Sequence, residues 1–261
     1  MIDPSLPTIA ALTAVALGAG TIDAIAGGGG LLTLPALLWA GLPPHLALGT
    51  NKGQSVFGSF ASLTRYARGG LVARDRALLG FPAGLAGSLA GAALVLAVPP
   101  ASLRPVVIVL LAGAALFIGL RARGGAAAAP AGGPPALTAR AAAVRTLLLA
   151  LGVGAYDGFF GPGTGTFLIV GFVALLGDGP ARASAEAKVV NFASNLAAVS
   201  LFAARGVVVW KVALPMAAGQ LAGGWLGAHL ALRRGDALVR RAVVATALAV
   251  AAKLAWDTWS H

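Results

Sequence analysis

The chain reads GTIDAIAGGGG over residues 20–30 and GAYDGFFGPGT over residues 154–164. In both stretches an aspartate lies four residues before a cluster of glycines, within an otherwise apolar run. Each glycine in a helix interior costs about 1 kcal/mol relative to alanine. Both stretches therefore predict a helix that breaks inside an apolar segment, at the same place in the two halves of the chain.

The residues that follow each glycine cluster repeat as well. A short apolar run, a turn and a polar helix come next in both halves, and the offset between equivalent positions moves only from 134 to 136. The equivalent pairs are Asp23 with Asp157, Gly27 with Gly161, Ala47 with Ala183, and Lys52 with Lys188. We therefore interpret residues 1–120 as an N-terminal transmembrane repeat, 121–139 as a cytoplasmic linker rich in Ala, Gly and Pro, and 140–261 as a C-terminal transmembrane repeat.

Composition identifies the environment of these repeats. Of the 261 residues, 58% are hydrophobic and 10% are charged, whereas a soluble domain carries about 25% charged residues. Several apolar runs approach the roughly 20 residues that a helix needs to cross a bilayer, at 6–26, 77–98, 106–120, 146–160, 189–204, 212–232 and 242–256. The sequence predicts an all-α polytopic membrane protein, because barrel strands would be about 10 residues long with alternating polarity.

The net charge of +11 does not indicate a nucleic-acid partner, because the arginines lie between the apolar runs, as in cytoplasmic loops. The chain has no cysteine and only three isolated histidines, so we expect no cofactor and no metal site. There is no pairing of a nucleophile with a base and no ATP-binding motif, so we do not expect an enzyme. The expected partners are a small anionic substrate and the lipid bilayer. The oligomeric state stays open, with a homodimer as one option.

Topology follows from the five apolar segments in each half. The second segment of each, 31–41 and 166–177, is too short to span the membrane alone. With three arginine-rich loops inside, ten segments place both termini outside, and the odd number per half predicts two inverted-topology repeats, as in many secondary transporters. If the short segments are instead re-entrant hairpins, the chain crosses about eight times.

The two breaks are the first candidate site. Non-helical backbone at membrane depth is tolerated where it lines a wet cavity or is buried in protein, and the N-terminus of the helix after each break favours an anion. The residues concerned are Gly28, Gly29, Gly30, Pro162, Gly163 and Thr164. The alternative is that these glycines only allow close helix packing. That alternative is our interpretation of the evenly spaced glycines in 80–91 and at 219, 223 and 227.

Polar residues of the following helices form the second candidate. A charge at the centre of a span costs about 2.5–3.5 kcal/mol on translocon scales, so Lys52 and Lys188 predict a function. Amides accompany both lysines, namely Asn51 and Gln54 in the first half and Asn191 and Asn195 in the second. Together they describe an oxyanion site, the alternative being snorkelling or a salt bridge, for example with Glu186.

Asp23 and Asp157 allow three interpretations. They pair with the lysines and keep an empty site neutral, or one of them titrates and couples transport to protons, or they cap a broken helix. The sequence does not choose among them.

These motifs resemble the two signatures of the TauE/SafE sulfite exporter family. The first is DAIAGGGGLLTLP at 23–35 with GLPP at 41–44 and TNK at 50–52, and the second is YDGFFGPGTG at 156–165 with the spacing of Lys188, Asn191 and Asn195. The likeness covers nearly the whole chain. It implies a multi-pass transporter of the bacterial inner membrane that exports sulfite, organosulfonates or related sulfur-containing or carboxylate anions.

Three functional hypotheses remain. The leading one is a secondary anion transporter that works by alternating access around a central site formed by both breaks and their lysines. The second is an anion channel that uses the same site as a filter. The third is a membrane subunit or enzyme that transports nothing.

Overall fold

The computed structural model describes residues 4–123 and 137–259, and within them the regular structure is helical, with no strand. The first half holds α1 (Leu6–Ala26), α2 (Gly30–Trp39), α3 (Pro44–Arg68), α4 (Arg74–Ala97) and α5 (Pro100–Arg123). The second holds α6 (Ala139–Phe159), α7 (Thr164–Leu176), α8 (Pro180–Ala204) and α9 (Trp210–Trp259). The all-α prediction is confirmed.

Four of the described helices, α1, α4, α6 and α8, are long and apolar enough to cross a membrane. The helices α2 and α7 have 10 and 13 residues. At about 1.5 Å per residue, neither reaches across a hydrocarbon core of roughly 30 Å. They coincide with the predicted short segments but begin within the glycine-rich stretches, at Gly30 and Thr164.

The end of the chain differs from the prediction in one respect. The arginine-rich segment 233–241 was expected to be a loop, but α9 is helical on both sides of Gly235, whose φ of 60° and ψ of −155° lie outside helical geometry. Glycine adopts a positive φ without strain. A single residue therefore separates two helical segments where the sequence predicted a longer connection.

The expected linker lies mostly outside the described residues. The helix α5 extends to Arg123 and α6 begins at Ala139, and residues 124–136 between them are not described. The division into two transmembrane repeats and the cytoplasmic position of the linker stay predictions.

Glycines bring two helix pairs into close contact. On α4, Gly87 and Gly91 face the backbone of α6, and on α9, Gly223 and Gly227 face the backbone of α1. A Cβ atom at any of the four would overlap a carbonyl oxygen of the neighbouring helix. The packing prediction for these positions is confirmed, and each contact joins the first helix of one half to the fourth helix of the other.

The polar helices α3 and α8 lie inside the bundle, next to each other. In the most apolar 18-residue stretch of α8, 67% of the residues are buried, against 17% in α6. The peripheral helices therefore shield α3 and α8, which carry the candidate lysines and amides. The inverted orientation of the halves, the re-entrant course of α2 and α7 and the number of crossings remain predictions.

Candidate functional site

The two breaks adopt backbone conformations that suit glycine. In the first, Gly27 and Gly28 have φ values of +73° and +86°, and in the second, Gly161 and Gly163 have φ values of +100° and +88°. An L-residue with a side chain pays about 1–2 kcal/mol in this left-handed region. The glycine clusters therefore end α1 at Ala26 and α6 at Phe159 and let new helices start a few residues later.

The breaks lie against each other. A Cβ atom on Gly165 would lie 2.7 Å from the Cα atom of Gly27, and one on Gly30 would lie 3.1 Å from the Cα atom of Pro162. The backbones of the two halves thus meet where both helices are interrupted. The N-termini of α2 and α7 come together at this point, as the sequence predicts for a shared anion site.

Side chains from other helices satisfy the carbonyl groups at the end of α1. The hydroxyl groups of Tyr66, Ser184 and Thr166 donate to the carbonyl oxygens of residues 24, 25 and 26, over 2.8, 2.9 and 3.0 Å. The last carbonyls of a helix have no partner within it, and lipid offers none. The broken end of α1 is therefore held by α3, α7 and α8.

The lysines and aspartates pair between the halves. Lys52 Nζ lies 2.7 Å from Asp157 Oδ1, and Lys188 Nζ lies 2.7 Å from Asp23 Oδ2. The side chains of the first pair are 3% and 4% exposed, and those of the second 0% and 26%. The formal charges of these four side chains sum to zero, and their role in charge balance stays a prediction.

The aspartates also accept hydrogen bonds from the breaks. Asp23 Oδ1 accepts from the Gly29 backbone N–H over 3.1 Å, and Asp157 Oδ1 accepts from the Thr164 hydroxyl over 2.8 Å. The Ser194 hydroxyl donates to Asp157 Oδ2. Both aspartates therefore pair with a lysine, but only Asp23 accepts from a backbone N–H of a broken helix, and proton coupling stays a prediction.

The predicted amides divide into paired and unpaired atoms. Asn51 Oδ1 accepts from the Thr33 hydroxyl over 2.6 Å and from Gln54 Nε2 over 2.9 Å, and Asn195 Nδ2 donates to the Asn191 carbonyl over 2.7 Å. Gln54 Oε1 and Asn191 Oδ1 are buried without a hydrogen-bond partner among the described residues. Buried polar atoms are rarely left unpaired, so each one indicates a missing water or ligand.

A cavity of about 30 Å³ lies between the breaks, with room for one or two water molecules. Most of the predicted residues line it, namely Asp23, Gly29, Gly30, Asn51, Lys52, Asp157, Gly163, Thr164, Asn191 and Asn195. Four predicted residues do not line it: Gly28, Gln54, Pro162 and Lys188. Lys188 still reaches the site through its ion pair with Asp23.

Sequence reasoning missed four lining residues, Ser55, Gly161, Gly165 and Gln220. Ser55 follows Lys52 by three residues, a spacing that places both on one helix face. The two glycines belong to the second glycine cluster. Gln220 lies among glycines whose spacing indicated packing, so nothing in the local pattern pointed to it.

Two equivalent contacts connect α3 and α8 to loops of the opposite half. The Ala73 N–H donates to Glu186 Oε1 over 2.8 Å, and the Val209 N–H donates to the Thr50 hydroxyl over 3.0 Å. We call these the Glu186 contact and the Thr50 contact. Glu186 is therefore occupied by a backbone donor, and the salt bridge considered for Lys188 forms with Asp23 instead.

Charged residues surround the Glu186 contact. Asp178, in the loop before α8, pairs with Arg76 of α4 and lies 3.7 Å from Arg182 Nε. Burial raises the pKa of Asp178 above its ordinary value, and the arginines offset part of that rise.

Within the described residues, no three His, Cys, Asp or Glu side chains are grouped so as to hold a metal ion.

Comparison with known proteins gives one family for nearly the whole chain. The model of the sulfite exporter TauE/SafE family matches residues 12–254. The chain is 40% identical over 257 residues to the probable membrane transporter protein ORF9 of Sinorhizobium sp, covering 98% of this chain and 96% of that one.

Two further relatives are similar over their whole length. Identity is 37% over 261 residues to a probable membrane transporter protein of Haemophilus influenzae, with 99% of each chain covered. It is 38% over 259 residues to the probable membrane transporter protein YfcA of Escherichia coli K12, covering 99% and 93%. No solved structure matches the chain.

Proposed function

The chain belongs to the sulfite exporter TauE/SafE family of membrane transporters, and from this membership we propose that it is a secondary transporter of a small anion. It works by alternating access in the bacterial inner membrane, which it crosses several times. The substrate is sulfite, an organosulfonate or a related sulfur-containing or carboxylate anion, and the direction is export.

The observation that carries the proposal is the crossed pairing of the two lysines. Each lysine faces an aspartate of the opposite half, at 2.7 Å in both pairs. An anion that binds a lysine competes with that aspartate, so substrate binding changes a contact between the halves. A ligand shifts a conformational equilibrium only through contacts that differ between the states, and the crossed ion pairs supply such contacts.

Contacts between the halves support a carrier over a channel. A carrier opens its site to one side of the membrane at a time, which requires contacts between the halves to break and form again. The Glu186 contact and the Thr50 contact, which join opposite halves, are the contacts that opening would break.

The donors around the cavity support an oxyanion as substrate. Lysine ammonium groups, asparagine amides and the backbone at the start of α7 line or adjoin the cavity. Charge-assisted hydrogen bonds to an anionic oxygen are about twice as strong as neutral ones. The family name adds sulfite as the first anion to try.

The test is uptake of labelled sulfite into proteoliposomes that are either preloaded with unlabelled sulfite or empty, with sulfoacetate and acetate as competitors. We expect preloading to accelerate uptake and Lys188→Ala to abolish it. Lys211→Ala, at an exposed position at the start of α9, is the matched control and keeps its flux. Uptake that is changed neither by preloading nor by Lys188→Ala would contradict the carrier hypothesis and favour the channel hypothesis.

A further inference from the structure

Gln220 of α9 is a buried polar side chain at the cavity. It is 4% exposed and lines the cavity together with residues of both breaks. Its helix packs against α1 and α3. The surrounding glycines predict only helix packing, so the side chain needs a separate explanation.

Two glycines on neighbouring helices leave room for this side chain. A Cβ atom on Gly20 of α1 would lie 2.8 Å from Gln220 Oε1, and one on Gly58 of α3 would lie 2.2 Å from the same oxygen. Any larger residue at either position would displace the amide. The glutamine thus occupies a slot between α1 and α3 that both glycines keep open.

The amide of Gln220 has no hydrogen-bond partner among the described residues, although it carries two donors and an acceptor. A buried amide is normally hydrogen-bonded. Among the surroundings described above, the cavity is the place that could hold a hydrogen-bond partner for this amide. An unpaired, nine-tenths buried amide at a site for anions indicates a ligand contact.

The equivalent position in the first half supports this interpretation. The glycines at 87 and 91 of α4 correspond to those at 223 and 227 of α9, which places Gly84 opposite Gln220. Gly84 packs against Val190 and offers no polar group. The lysines and aspartates occur in both halves, so the amide of Gln220 is a feature that only the second half contributes.

We propose that Gln220 is a specificity-determining residue whose amide hydrogen-bonds the transported anion. This inference deepens the proposed function and rests on it. The lysines attract any small anion, so charge alone distinguishes poorly between such anions. Sulfite and sulfonates have three oxygens, so one can accept from the amide while the others face the lysines, whereas a carboxylate has only two.

The decisive variant is Gln220→Met, which keeps the length of the side chain and removes the amide. A hydrogen bond to a charged group is worth about 1.5–3 kcal/mol, so we expect the KM for sulfite to rise about tenfold or more. The preference for sulfite over acetate should fall by a similar factor, with the maximal flux nearly kept. Leu221→Met, one residue away and 38% exposed, is the control and keeps both values.

A second variant tests the inference even if Gln220→Met fails to fold. The natural chain has no cysteine, so Gln220→Cys introduces a single thiol. Its reaction with a small methanethiosulfonate should slow when sulfoacetate is present, because this anion, unlike sulfite, does not consume the reagent. If Gln220→Met keeps the KM and the anion preference of a transporting wild-type protein, this inference is wrong while the proposed function stands. The same holds if the anion does not slow the labelling of Gln220→Cys. Wild-type protein that carries none of the anions would overturn the proposed function and this inference with it.

Discussion

At the scale of single residues, each of two buried lysines faces a carboxylate of the opposite half. The environments of the two pairs differ: Lys52 and Asp157 are both almost fully buried, whereas Asp23 is about one-quarter exposed. Removing one member of a buried ion pair costs about 3–5 kcal/mol, because the remaining charge is left unpaired, whereas replacing both is often nearly neutral. Breaking either pair is therefore expected to destabilise the protein more than replacing both of its members.

We expect Lys52→Met to lower the free energy of unfolding by about 3–5 kcal/mol, and Lys52→Met combined with Asp157→Asn to recover most of that loss. Neither protein should transport, because both lack the ammonium group that binds the anion. Thermal unfolding of the single and double variants in detergent gives the coupling energy, and sulfite uptake gives the flux.

The equivalent pair is the internal control for this cycle. Solvent screens Asp23, so the coupling between Lys188 and Asp23 should be smaller than that between Lys52 and Asp157. Equal coupling energies, or flux in the charge-free double variant, would contradict the role given to the pairs.

The residues of the site were predictable to the extent that they repeat. The lysines and aspartates stand out because charges are rare in apolar segments and these occur twice. Their partners were not predictable, since Lys52 could pair with Asp23 of its own half or with Asp157 of the other. The choice depends on how the two breaks pack against each other, which the sequence does not reveal. Gln220 was missed because a residue amid evenly spaced glycines on an apolar helix is usually there for packing.

At the scale of elements, the breaks end helices by backbone conformation and by contact. Gly27 has a positive φ and lies against the backbone of residues 165 and 166. Gly18, within α1, has no neighbouring atom within 4 Å of the position that a Cβ atom would take. An added methyl group should therefore have opposite consequences at these two glycines.

We expect Gly27→Ala to abolish transport and destabilise the protein. The positive φ costs about 1–2 kcal/mol, and overpacking against the second break adds about 1–3 kcal/mol. Gly18→Ala should keep transport and gain up to about 1 kcal/mol, because alanine is the better helix former. Unfolding temperature and sulfite uptake measure both effects, and a tolerated Gly27→Ala would show that the breaks need not touch.

The elements themselves were mostly predictable from apolar runs and glycines. The breaks and the two short helices lie where the sequence predicted them, because clustered glycines affect local backbone directly. The connection near residue 235 was predicted too long, since a single glycine suffices to redirect a helix and the adjoining arginines resemble a loop.

At the scale of the molecule, the Glu186 contact and the Thr50 contact occupy equivalent positions of the two halves. If the halves are inverted, these contacts lie toward opposite faces of the membrane, with the central ion pairs between them. Because arginine favours the cytoplasmic side, we expect the end of α3, with Arg65 and Arg68, to lie there. The start of α3 would then lie toward the other face, and the start of α8, beside Arg76 and Asp178, toward the cytoplasm.

The orientation of the halves can be tested with single cysteines at Ala47 and Ala183, equivalent positions near the starts of α3 and α8. Both alanines are 0% exposed, and the chain has no native cysteine to remove. We expect an impermeant maleimide to reach Ala47→Cys only from the periplasmic side and Ala183→Cys only from the cytoplasmic side. Sulfoacetate, which unlike sulfite does not add to maleimides, should change the two labelling rates in opposite directions, because opening one side closes the other.

Arg68→Cys at the end of α3 calibrates the experiment, since it is exposed and should react from the cytoplasmic side at a rate that sulfoacetate does not alter. Labelling of both alanine positions from one face would contradict the inverted repeat, whatever the anion does. Labelling from opposite faces with rates that sulfoacetate leaves unchanged would keep the inverted repeat but contradict alternating access. The same variants thus separate the architecture from the mechanism, because the side of access depends on topology and the response to the anion depends on movement.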